Sequence, residues 1–416
     1  MTAGQRWVSI LALCLALGSQ LACSHPEQTV IHPWDPKTAA EYLDRREIAW
    51  VGWPGAARDH GTFCVSCHTV VPYALSRPML RTALGERDLS VNERNLLDNV
   101  VKRVRLWNEV EPFYSGKGYD GGKSAESRGT EAILNALILA NYDAPSGSLS
   151  AITQKAFSNM WDLQKTKGDE KGAWPWLQFN MEPWEAKDSQ YYGAALAAIA
   201  VGTAPGNYSS LPEIQPELGA LRDYLNREYA TQSTINQVVL LWASTKLPGL
   251  LDSERQRSII NEVTNQQQSD GGWRLSLLAW PKGWSVHSLA RMQLRADWTR
   301  QQAQSDGYAT GLIVFALRQS GVPAEDPRLK RGLSWLARNQ NNEEGSWPSS
   351  SLTERRNPSS NVGHFMRDAA TAYAVLALSD GGVTSNRASG GGENRSGKDE
   401  RSTISAIAEG HRRNPR

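Results

Sequence analysis

Apolar residues recur along the chain at helical spacing, and the helical segments come in pairs. The first segment of each pair is amphipathic, with Arg, Lys, Glu and Gln along one side. The second is short, rich in Ala and Gly, and apolar nearly all round. Tyr192-Gly-Ala-Ala-Leu-Ala-Ala-Ile-Ala, Tyr308-Ala-Thr-Gly-Leu-Ile-Val-Phe-Ala and Ala372-Tyr-Ala-Val-Leu-Ala-Leu are of this second kind. A helix without a polar face is stable only when buried on most sides. The pattern predicts six hairpins: 39–49 with 73–84, 92–107 with 130–140, 150–164 with 189–201, 216–229 with 233–244, 253–267 with 308–319, and 327–339 with 369–378. No hairpin can bury its apolar face alone, so neighbours must stack, the second helices inside and the first outside. The expected fold class is all-α, an (α/α)6 toroid over residues 25–383. A four-helix bundle with appendages is the simpler competitor. Pro72 and Pro78 are expected to break any helix running from His68 to Met79.

Both ends depart from this pattern. Arg6, the apolar run from Val8 to Leu17, and the small residues Gly18, Ser19 and Ala22 follow the order of an export signal over residues 1–24. Leu21-Ala22-Cys23-Ser24 resembles a lipoprotein box, except for Gln20 where an aliphatic residue is usual. Lipidation of Cys23 and ordinary cleavage after Ser24 both stand. No second apolar run is long enough for a membrane span, so the expected membrane contact is only a lipid anchor on Cys23. The expected location is the periplasm or cell envelope. From residue 384 to 416 the chain is mostly Gly, Ser, Arg and Glu, which predicts a disordered tail.

Charge narrows the function classes. The 45 Lys and Arg nearly balance the 43 Asp and Glu of the 416 residues, so no nucleic-acid surface is expected. Of the four cysteines, Cys14 and Cys23 fall in the signal; only Cys64 and Cys67 lie in the body. Cys64-Val65-Ser66-Cys67-His68 has the spacing of a c-type haem attachment site. Each thiol can add to one haem vinyl group, and the next side chain, His68, comes under the ring as iron ligand. A structural disulfide, a thioredoxin-like pair and a zinc site compete. The thioredoxin reading lacks a βαβ pattern, and zinc lacks further ligands at suitable spacing. The expected cofactor is one covalent haem c held by Cys64, Cys67 and His68. Met79, His60, His287, His364 and Met366 are conceivable sixth ligands, and none is chosen.

The loops carry a second repeat. Gln340 precedes Gly345-Ser346-Trp347, Gln266 precedes Gly271-Gly272-Trp273, and Gln164 precedes Gly172-Ala173-Trp174 with three extra residues. With Arg331-Gly332-Leu333-Ser334-Trp335-Leu336 upstream, this resembles the Gln-Trp repeats of the squalene-hopene cyclase and prenyltransferase superfamily, over about residues 150–380. The resemblance implies an α/α toroid in which each Gln bonds exposed groups at an outer helix end and each Trp covers it. It does not carry the chemistry across. The cyclase Asp-x-Asp-Asp and the isoprenyl Asp-Asp-x-x-Asp motifs are missing, and no mature Cys remains for a prenyltransferase zinc site. Gly61-Thr62-Phe63 stands where later units place Gly-x-Trp, so the haem motif reads as part of the first hairpin's loop. A separate small cytochrome domain over 30–125 is the competitor.

Glu131, Asp188, Asp306 and Asp368 lie where inner helices begin, near Arg128, Tyr191, Tyr308, His364 and Tyr373. Carboxylates there could act as general acids or bases, but helix capping is the favoured role. No catalytic residue is assigned. The expected function is haem binding and electron transfer to an unidentified redox partner protein, with redox chemistry on an apolar small molecule as an extension. A haem-free cyclase-like or hydrolytic enzyme and a ligand-binding module are the alternatives.

Overall fold

Helix starts are written locally. The Asp35 carboxylate accepts from the Lys37 backbone N–H at 2.8 Å and Pro36 follows it, which opens α1 (Pro36–Val51). Ser90 and Glu93 form a reciprocal capping box ahead of α3 (Val91–Arg105). Asp252 caps α9 (Ser253–Asn265), Asp306 caps α10 (Gly307–Gln319), and Asp326 with Pro327 opens α11 (Pro327–Arg338). The other long helices are α2 (Val70–Leu84), α4 (Gly121–Asp143), α5 (Ala151–Trp161), α6 (Ser189–Thr203), α7 (Gln215–Glu228), α8 (Thr234–Lys246) and α12 (Asn361–Ser379). The computed structural model describes residues 34–115, 119, 121–280, 304–353 and 356–379. The expected signal with Cys23, the tail 384–416 and His287 lie outside them. Among the described residues the only strands are β1 (Ala57–Arg58) and β2 (Thr62–Phe63), paired antiparallel. The protein is therefore an all-helical assembly of packed helices.

The helices form two layers. The even-numbered helices pack in succession, α2 on α4, α4 on α6, α6 on α8, α8 on α10 and α10 on α12, and α12 packs back on α2. The odd-numbered helices lie outside them, α1 and α11 each touching α12 as well as their own partners. Burial follows the sequence pattern: every residue from Ser189 to Val201 in α6 and from Gly307 to Leu317 in α10 is buried. The inner helices are not short, however; α4 and α12 run 23 and 19 residues. Nor do the prolines break α2, which continues through Pro78. Burial of Val70 to Arg77 along its first half outweighs a proline cost of about 3 kcal/mol.

The Gln and Trp loops join successive outer helices. Trp174, Trp273 and Trp347 are fully buried, and each indole N–H donates to an outer-helix carbonyl: Met160 at 2.6 Å, Val263 at 2.6 Å and Leu336 at 2.7 Å. Gln164 donates to Gly172 O at 3.1 Å and to Glu217 O, at the start of α7, at 3.0 Å. In the next loop the acting residue is Gln267 rather than Gln266: it donates to Gly271 O at 2.9 Å and to Arg328 O in α11 at 2.8 Å. Gln340 accepts from Asp35 N at 2.7 Å and donates to Asp35 O at 2.9 Å, which ties the end of α11 to the start of α1.

Gly345, at φ +82°, presses on this junction. A Cβ there would stand 2.0 Å from the Thr38 carbonyl oxygen. Gly321 has a similar φ of +81° with nothing within 4 Å. Gly321→Ala should therefore cost only the left-handed backbone penalty, about 1 kcal/mol. Gly345→Ala should cost at least about 2 kcal/mol more, because the junction must also move apart. Urea unfolding of both variants followed by circular dichroism checks this; equal midpoints would contradict it.

Candidate functional site

The Cys64–His68 segment is built between α1 and α3. Residues 57–63 form a tight hairpin whose turn holds His60 at φ 54°. The hairpin is clamped from α3. Asn99 accepts from Phe63 N at 2.8 Å and donates to Phe63 O at 3.0 Å, and Arg103 donates to Thr62 Oγ1 at 2.6 Å. From the α1 side, Trp50 Nε1 donates to Cys64 O at 2.8 Å, and Cys64 N donates to Ala56 O at 2.8 Å. Nothing in the spacing of Asn99 and Arg103 on an amphipathic helix marked them for this role.

Cys64 and Cys67 are both buried and unbonded. Burial pushes the Cys64 thiol up to about 12 and the Cys67 thiol well above its ordinary range. Protonated buried thiols are poor nucleophiles and poor metal ligands, which disfavours a thioredoxin-like pair. Among the described residues no group of three His, Cys, Asp or Glu converges as a metal site, so the zinc reading finds no further ligands. A thioether, which does not ionise, suits the same burial well.

His68 is held on three sides. Phe365 stacks on it at 3.6 Å between centroids, Trp50 meets it edge-on at 5.2 Å, and Trp184 lies at 5.9 Å. Its Nδ1 is 3.0 Å from Thr69 Oγ1, and that hydroxyl gives its single proton to Asp368 Oδ2 at 2.8 Å. Thr69 must therefore accept from Nδ1–H, which leaves Nε2 with its lone pair free. Burial, with Arg46 and Arg356 adding, pushes the imidazole down to about 3, so the ring is neutral. A neutral ring with one nitrogen hydrogen-bonded and the other free is the form that ligates a metal. The Asp368 carboxylate is itself fixed, Oδ1 accepting from Tyr42 at 2.8 Å and Arg46 Nε at 2.9 Å.

These groups open on a cavity of about 1060 Å3, at the large end of small-molecule sites. Much of its lining comes from residues that precede or begin inner helices: Cys64 and His68, Met181, Glu182, Trp184 and Glu185, Gln304 to Asp306, and Val362, Gly363 and Phe365 to Arg367. One part of the wall is the aromatic group around His68, with Trp50, Trp53, Trp184 and Phe365. Another is polar: Ser305 donates to Asp270 at 2.8 Å and Ser349 to Asp306 at 3.3 Å. Deeper in, Tyr308 and Tyr373 fill the space between inner helices, 5.4 Å apart, and Trp184 donates to the Tyr308 hydroxyl at 3.0 Å.

The conceivable sixth ligands separate clearly. Met366 lines the cavity, as does Met181, which the sequence reading passed over. Met79 packs against the core from α2, and His60 sits in the exposed hairpin turn beside Asp59. His364, half-buried at the start of α12, is not among the lining residues. The four carboxylates also divide. Asp306 is a cap, accepting from Ala309 N at 2.9 Å and Leu275 N at 2.6 Å; loss of water pushes it up to about 6. Asp188 precedes α6 without capping it and accepts from Asn236 at 3.1 Å. Glu131 and Asp368 lie inside helices and pair with the buried arginines Arg103 and Arg46. Glu185, in the cavity wall, was not anticipated; burial pushes it up to about 7.

No protein-family model and no curated protein matches the chain.

Glu47 lies on α1 one residue past Arg46, 1% exposed, and neither carboxyl oxygen has a hydrogen-bond partner among the described residues. Burial first, then the negative charges of Asp368 and Asp44, push it from the usual 4.5 up to about 8. The folded value lies above the unfolded one, so between these values the native state holds a proton that the unfolded state has lost. The stability that Glu47 contributes is complete below pH 4.5 and falls steadily up to about pH 8. Glu47→Gln removes this titration and should flatten the decline of unfolding free energy between pH 5 and 8. Denaturant titrations across that range test it, and parallel wild-type and variant curves would refute it.

Proposed function

We propose that this chain is an exported monohaem c-type cytochrome-like protein built on a six-hairpin α/α toroid, with electron transfer as its basic function. The toroid reading is supported by the return of α12 onto α2 and by the Gln340 link to Asp35. It is also supported by the three Gln junctions and the buried Trp beside each. The first-hairpin placement of the haem motif is supported by Gly61, which holds a positive φ of 61° as Gly172, Gly271 and Gly345 do in the later loops.

One observation carries the haem reading. His68 keeps Nε2 free and faces the cavity that Cys64 also lines, in the order the attachment chemistry needs. Cys64 and Cys67 would hold the porphyrin as thioethers and His68 would ligate the iron; the bound haem supplies reversible one-electron chemistry. The protein's own contribution is positional. The Thr69–Asp368–Arg46 chain fixes the imidazole's orientation and tautomer, Phe365 and Trp50 stop the ring turning, and the aromatic wall keeps water from it.

A haem-free hydrolase is the second reading, favoured by Glu185, a cavity carboxyl poised near neutrality. Such an activity would survive removal of both cysteines. An unidentified redox protein as partner, and an envelope location, belong to the first reading.

Protein from a host with haem c maturation machinery should show a sharp reduced α-band that survives acid-acetone extraction. Cys64→Ala with Cys67→Ala should abolish extraction-resistant haem while preserving the helical circular dichroism. His68→Ala should keep covalent haem but change its spin state. A folded, colourless wild-type protein under those conditions would overturn the haem reading.

A further inference from the structure

Three arginines open on the cavity: Arg58, Arg356 and Arg367. Arg367 is matched by Glu344 at 3.0 Å, and Arg356 lies 3.1 Å from the Met181 sulfur. Arg58 is placed differently. Its Nη1 donates to the main-chain oxygens of Gly55 at 2.9 Å and Ala57 at 2.7 Å. Its Nε is buried with no hydrogen-bond partner. Its guanidinium carbon lies 5.6 Å from the centre of the Tyr114 ring and 6.0 Å from that of Phe113. Among the described residues no carboxylate pairs with it. A half-buried guanidinium at a cavity wall without a counter-charge is poorly placed unless a ligand supplies the anion.

Its position is set by the attachment segment itself. In the hairpin Arg58 stands opposite Thr62, two residues before Cys64, and the neighbouring Ala56–Cys64 hydrogen bond locks the register. Arg103 and Asn99 clamp the other strand. The hairpin therefore fixes the backbone positions of Arg58 and Cys64 relative to each other, and both residues line the cavity. With Nη1 donating to two main-chain oxygens and Nε sealed in, Nη2 is the donor left for an anion, beside the rings of Tyr114 and Phe113.

We propose that Arg58 is a carboxylate-binding residue of the cavity and receives a carboxylate side chain of the tetrapyrrole that Cys64 and Cys67 carry. This rests on the haem reading and adds to it the orientation of the group. Of the lining arginines, Arg58 is the one whose charge the fold leaves to a ligand.

The test compares haemin with haemin dimethyl ester, in which both carboxylates are masked. Each is titrated into the full chain made without attachment machinery, and binding is followed by the Soret band. Wild type should bind the free acid about tenfold or more tightly than the ester, as a charge-assisted hydrogen bond requires. Arg58→Gln should erase that ratio and leave ester affinity nearly unchanged. Arg58→Lys should keep part of it, and it serves as the reading variant if Arg58→Gln loses its helical circular dichroism. A ratio that is the same in wild type and Arg58→Gln, or no preference in wild type, overturns the inference while leaving haem binding intact. Failure to bind either form overturns the haem reading and this inference with it.

Discussion

Along their middle turns the inner helices have almost no face that meets water. Residues such as Leu196, Ala197, Ala198 and Leu312 to Val314 are sealed completely, so every inner helix needs a neighbour on each side and an outer helix behind it. A linear stack would leave α2 and α12 each with a bare apolar flank. Packing α12 against α2 removes both at once. Hydrogen bonds then fix the register of what burial alone would leave sliding. Buried glutamines and indoles tie the end of one outer helix to the start of another, and the last tie joins residues 305 positions apart.

The same closure makes the site. His68 lies between α1 and α2, but its orientation depends on Thr69 and, through it, on Asp368 of α12. Phe365, stacked on the imidazole, comes from that helix too. The Arg46–Asp368 ion pair and the Tyr42 hydroxyl are contacts between α1 and α12. A buried charge pair of this kind adds little net stability, yet it is costly to break from one side, which favours a single alignment of the two ends.

Much of this was legible before any coordinates. The alternation of amphipathic and wholly apolar segments predicts the two layers, and the spacing of Cys64, Cys67 and His68 marks them as candidates for a haem site. What stayed hidden depended on partners remote in sequence. Asp368 read as a helix cap because its partners, Arg46 and Thr69, lie some 300 residues earlier. Gln266, Gln267 and Gln268 are chemically identical, and only the path of the loop decides that Gln267 bridges to α11. The expected helix 73–84 already ran through Pro78; its start at Val70, ahead of Pro72, was missed because a local backbone penalty was weighed without the burial of that half-helix. Glu47 and Arg58 gave no local signal either, since an unpaired charge is visible only once its neighbours are known.

The Gln340–Asp35 junction also has a bearing on the order in which the chain is made. The segment that must receive the final tie is synthesised first and waits for more than three hundred residues. Until α12 arrives, α1 and α2 keep an apolar side open, and His68 lacks both its stacking partner and the carboxylate behind Thr69. Contacts this far apart in sequence are slow to form and leave aggregation-prone surface exposed meanwhile. A chain that stops before residue 361 would therefore lose more than α12. It would leave α1 and α2 unfinished, an early product fully translated yet never sealed.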